Sequence, residues 1–184
     1  KTVAKFKAEN HQLNVIMTRA TTDEFPTLGA RPQLANHKGA DDFVSIHFNS
    51  NTDASARGTE TYVERLKGES SSGNPGDNIN ITEDELLALM LNGSAFSAVA
   101  GSDSGAINRQ VKRAGKAVTL DGPGYNGNTQ DYHPIKACLV EVEFLSNATA
   151  LESIKLTNPS GVAIKNAFSE NAAINIFGNI RSQP

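Results

Sequence analysis

Hydrophobic and polar positions change period several times along these 184 residues, and each change marks an element. Val3 and Phe6 share one face of a helical stretch over 2–9, ahead of a turn at 10–12. LNVIMT at 13–18 is apolar without strict alternation and reads as a buried strand. A loop through Pro26 and Gly29 leads to a short predicted helix over 31–37, stopped by Gly39. FVSIHF at 43–48 and TETYVE at 59–64 follow as strands. The Ser-, Gly-, Pro- and Asn-rich segment 69–80 is a loop. Thr82 with Glu85 forms a capping-box pair, which predicts a Leu-rich helix running to about Leu91. A second helix is predicted over 104–114, a loop over 121–130 and a strand over 137–145. Near the C-terminal end Ile164, Phe168, Ala172, Ile176 and Ile180 recur at four-residue spacing, the stripe of an amphipathic helix packed on a sheet. Helix and strand alternate along most of the chain. That alternation predicts an α/β fold, three-layer α/β/α with a largely parallel central sheet, in one domain over 1–184.

Two of these strands carry ionisable groups inside apolar runs. In DFVSIHFNSN (42–51), Val44, Ile46 and Phe48 point one way, while Phe43, Ser45, His47 and Asn49 point the other. In ACLVEVEFLSN (137–147), Val140, Val142 and Phe144 oppose Leu139, Glu141, Glu143 and Leu145. Ideal strand geometry makes the two glutamates neighbours on one face, roughly 7 Å apart. Such a pair could raise one pKa, as a general acid or base requires. Removing an unpaired carboxylate from water costs several kcal/mol, so a glutamate in a Val/Leu/Phe run is either paired or placed for chemistry. His47 lies near its strand's C-terminal end, the edge at which open α/β sheets bind ligands.

Plainer roles stand beside these. A strand-end histidine is more often a hydrogen-bonded structural residue than a ligand, and His11, His37 and His133 fall in turns or loops. Glu143 could sit near the strand's end and reach solvent or an arginine. Glu141, with apolar residues on both sides, resists that explanation. Cys138, the chain's one cysteine, reads as a small buried hydrophobe. It excludes an intrachain disulfide framework and leaves the compartment open. A net charge of −3 makes no electrostatic case for nucleic acid or an anionic membrane surface. No apolar run approaches the roughly 20 residues that cross a bilayer, so membrane insertion is not expected. Oligomeric state is left open.

Between residues 13 and 64, Thr18-Arg19, Asp23, Leu28, Arg31, Ala35-Asn36, Ala40-Asp41, FVSIHFN and GTETYV follow one another. In that order they resemble the zinc-dependent N-acetylmuramoyl-L-alanine amidases that cleave bacterial peptidoglycan. LVEVEFLSN matches the family's LVEVGFLSN, with Glu143 in place of a glycine. The likeness covers most of the chain and is weakest over 65–134. By motif, the resemblance implies that His47 is a ligand of a zinc ion and that Glu141 is the catalytic glutamate. It implies hydrolysis of the amide between N-acetylmuramic acid and the L-alanine of the stem peptide. It also implies a peptidoglycan or muropeptide substrate and an exported protein acting in the periplasm or cell wall, as autolysins do. The family's remaining ligands, a histidine in a GHGG-like turn and a glutamate early in the first helix, would fall before Lys1. The chain is therefore expected to continue a longer polypeptide, lacking here its first strand and the start of its first helix. Alternatives are a catalytically silent wall-binding or regulatory relative, a related zinc exopeptidase, or a ligand set completed by His133 or another residue.

Overall fold

The computed structural model describes residues 14–19, 24–66, 68–69, 78–116 and 135–155. Seven elements follow in order: α1 (Ala30–His37), β1 (Asp42–Asn49), β2 (Thr59–Val63), α2 (Ile81–Ala100), β3 (Asn108–Arg113), β4 (Lys136–Phe144) and α3 (Ala148–Lys155). The four strands form one sheet in the order β1-β4-β2-β3. β1 runs parallel to β4 and β2 parallel to β3, while β2 and β4 are antiparallel. The sheet is thus mixed, with two of its three pairings parallel.

Side-chain alternation puts a helix on each face. Leu87, Ala88, Leu91, Ala95 and Val99 of α2 pack on Val63, Cys138, Val140 and Val142. On the other face, Ala35 of α1 joins Phe43, Ile135 and Ala137 in a smaller cluster. Phe43 pairs with Ala137 and Val44 with Cys138, so the two clusters lie on opposite sides of the same ladder and make three layers. Asp84, fully buried in the first turn of α2, fastens that helix to the sheet. Its carboxylate accepts the backbone N–H of Ala137 at 2.9 Å and the Asn78 amide at 2.7 Å.

Several expectations are corrected. The run over 14–18 is not a strand, and Ile16 and Met17 are about half exposed. It has no partner strand among the described residues to take its backbone N–H and C=O groups. The predicted helix over 104–114 is instead β3. Its backbone pairs with β2, and Gln110 takes a φ of 68°, which no continuous helix accommodates. The register shift between Thr59 and Thr61 falls at the same place. The pairing outranks the local pattern there. α2 extends to Ala100, well past Leu91, and among the described residues it is the helix that packs on this sheet face. Its capping box does not form, because the helix begins at Ile81 behind Asn80. Glu85 turns outward to Arg113, 2.7 Å away. The helices expected over 2–9 and 164–180 and the loop over 121–130 lie outside the described residues.

Candidate active site

The strand registers bring the two residues singled out by motif into one row. His47 on β1 is the pairing partner of Glu141 on β4, and Glu60 on β2 is paired with Glu141 from the other side. Neighbouring strands lie about 4.8 Å apart, so an imidazole and two carboxylates stand abreast on one face. This is the face that α1 covers at the start of β1. His47 and Glu141 stand further along, and both are only partly buried.

Each group is tuned by its surroundings. Burial lowers the pKa of His47, and the charge of Arg31 lowers it further, which favours the neutral imidazole. Burial raises the pKa of Glu141; Lys116 partly opposes the shift and Glu60 adds to it. Oε2 of Glu141 is buried without a hydrogen-bond partner among the described residues.

Glu60 is only 2 % exposed and has the richest set of partners. Oε1 accepts from the Asn49 amide and from the Tyr62 hydroxyl, each at 2.7 Å. Oε2 accepts from Arg109 Nε at 2.7 Å and from the Lys112 ammonium. Burial alone would raise the Glu60 pKa, but the bonds from Lys112, Tyr62 and Arg109 together bring it below its ordinary value. Tyr62 is pushed upward by burial and by Glu60, so its phenol stays protonated. Lys116 and Lys112 flank the Tyr62 ring, with ammonium groups 4.6 and 5.7 Å from its centre.

Beyond the row the alternation breaks. Two steps on β1, from His47 to Asn49, match three on β4, from Glu141 to Phe144. Glu143 therefore does not extend the row as a second exposed carboxylate. It is completely buried and accepts the backbone N–H of Gly58, together with that of Phe144 at 2.9 Å. The expected escape of Glu143 to solvent is corrected in the same way.

Among the described residues no three His, Cys, Asp or Glu side chains cluster as a metal site. What they do offer a zinc ion is one imidazole kept neutral, a donor zinc accepts, beside a carboxylate whose unpartnered oxygen is free to take a proton. His37 ends α1 and is not part of the row, and His133 lies outside the described residues. Glu60 and Tyr62 escaped the motif reading although GTETYV was in view. Alternation alone would have placed them on one face, but only the register of β2 against β4 sets Glu60 beside Glu141.

An imidazole beside a carboxylate of raised proton affinity, on one face of an α/β sheet, is an arrangement able to exchange protons. Comparison with known proteins identifies the family. The model of the N-acetylmuramoyl-L-alanine amidase family matches residues 1–169. A 59-residue stretch is 48% identical to the N-acetylmuramoyl-L-alanine amidase AmiC of Neisseria meningitidis serogroup B, covering 32% of this chain and 14% of that protein. The catalytic domain of CwlV, an N-acetylmuramoyl-L-alanine amidase from Bacillus (Paenibacillus) polymyxa var. colistinus, superposes with a TM-score of 0.68 at 24% identity, over 99% of this chain and 80% of that one. An N-acetylmuramoyl-L-alanine amidase from Clostridium difficile 630 gives 0.65 at 19% identity, over 100% and 82%. At those identities the structures speak for the fold. The chain belongs to the N-acetylmuramoyl-L-alanine amidase family.

Proposed function

We propose that this domain hydrolyses the amide between the lactyl group of N-acetylmuramic acid and the L-alanine of the stem peptide, using zinc, in the periplasm or cell wall where peptidoglycan lies. The observation that carries the proposal is the lateral pairing of His47 with Glu141. Bound zinc would polarise the scissile carbonyl and lower the pKa of water at the site. His47 would hold one coordination position, because its lowered pKa keeps the lone pair free of a proton. Glu141 would take a proton from the attacking water and deliver it to the departing amine. The C–N bond breaks, the water oxygen stays on the lactyl carboxylate, and the L-alanine nitrogen leaves as an amine. A raised pKa suits that exchange, since the group must both accept and release a proton.

The test is purified protein assayed for bound zinc and for release of stem peptide from muropeptides. Glu141→Gln should retain zinc while cleavage falls by about 100-fold or more. His47→Ala should lose zinc and cleavage together. Undiminished cleavage by Glu141→Gln refutes the catalytic assignment. Binding of muropeptide without cleavage by the parent chain marks a silent wall-binding relative. Cleavage of plain peptides in preference to muropeptides marks an exopeptidase.

A further inference from the structure

We propose that Glu60 is a positioning residue for the hydrolytic site, acting through Asn49 as a brace across β4; the inference rests on the amidase reading above. The β1–β4 ladder loses its register immediately after His47 and Glu141, where β4 carries an extra residue. Beyond the bulge the strands pair again at Asn49 and Phe144, where the Leu145 N–H donates to the Asn49 carbonyl at 2.8 Å. The Asn49–Glu60 bond anchors that same residue from its side chain. It joins β1 to β2 over the strand between them, two residues beyond His47.

The brace has a fixed polarity. Asn49 Oδ1 accepts the backbone N–H of Ser50 at 2.8 Å, which orients the amide so that Nδ2 faces Glu60. Arg109 and Lys112 offer only donors, and Tyr62 points its hydroxyl at the same carboxylate. Four donors converge on two oxygens, a demand that a carboxylate meets with its lone pairs. Glutamine has one acceptor oxygen and an NH₂ that would face donors. Charge also matters, because the anion balances two cations contributed by β3. Glu60 is thus the point where β1, β2 and β3 are tied together around β4, and Glu141 stands beside it.

The experiment is a double-mutant cycle on the full chain with Asn49→Ala, Glu60→Gln and both. Muropeptide kcat and KM are measured, along with the ring NMR signals of His47 in metal-free protein. Each single variant should lower kcat by about tenfold or more with KM changed by less than about threefold, since misplaced reacting groups slow chemistry more than binding. The double variant should be no worse than the poorer single one, because both changes cut the same brace. The His47 signals should move in both single variants. A folded Asn49→Ala protein with kcat within about twofold of the parent, or losses that multiply in the double variant, overturns the proposal. If Glu60→Gln does not fold, Asn49→Ala decides, since it removes only one of the four donors. If the parent chain cleaves no muropeptide, the amidase reading fails by itself, and the His47 signals decide the brace: unmoved signals overturn it.

Discussion

Replacing Gly58 with alanine should unfold this domain at a much lower temperature, and the size of the effect follows from the geometry. Gly58 has a φ of +120°, outside the range of ordinary side-chain-bearing residues, at a cost of about 1–3 kcal/mol. A β-carbon there would lie 2.6 Å from the carbonyl oxygen of Ile107 and 3.0 Å from Cγ of Arg109. The first neighbour is backbone and cannot rotate away. That same oxygen accepts the N–H of Thr59 at 2.9 Å, and the N–H of Gly58 is bonded to Glu143. Moving the backbone to make room weakens both bonds, each contributing about 0.5–1.5 kcal/mol. The sum is about 2–6 kcal/mol if both bonds are lost, or a fall in Tm of about 4–24 °C for a domain of this size. Gly93 provides the control, because it lies inside α2 and a β-carbon there would meet nothing within 4 Å among the described residues outside its own helix backbone. Gly93→Ala should raise stability by about 0.5–1 kcal/mol through helix propensity alone. Thermal unfolding followed by circular dichroism measures both. A Gly58→Ala protein melting within about 2 °C of the parent, or a Gly93→Ala protein losing as much as Gly58→Ala, would show the reasoning to be wrong.

Other changes should behave as follows. Leu91 is fully buried between α2 and the sheet, so Leu91→Ala should cost about 2–5 kcal/mol in denaturant unfolding with little change in the slope. The folded-state pKa of Glu60 lies below its unfolded value, so its contribution is complete above the unfolded pKa and is lost as pH falls through the folded one. Stability measured from pH 7 downward should therefore decline less steeply in Glu60→Gln than in the parent, and identical slopes would rule out this carboxylate as a source of acid sensitivity.

The elements that could be read from sequence are those whose residues meet locally patterned demands. β1, β2 and β4 announced themselves through alternation and β-branched or aromatic content, and α1 through its stop at Gly39. His47 and Glu141 were legible because ionisable groups in apolar strands call for explanation, and motif resemblance then gave them roles. β3 was not legible: NRQVKR has one apolar residue, and only pairing with β2 makes it a strand. Glu143 looked like a partner for Glu141 because periodicity contains no record of the extra residue on β4 that ends the row. Glu60 remained a letter in a motif until strands about 80 positions apart in sequence were set in register. The residue substituted for a family glycine now has a physical account. Glu143 supplies, from its side chain, the acceptor for an N–H at the end of the β2 ladder.

Cys138 turns the architecture into a measuring device. It is the chain's only thiol, fully enclosed where the central strand β4 meets α2, and burial, reinforced by the charge of Asp84, pushes its pKa up. A thiol reagent in solution meets no thiolate until those two layers part. The rate at which the folded protein consumes such a reagent is therefore a clock for the opening of the same strand that carries Glu141, readable without adding any label or mutation.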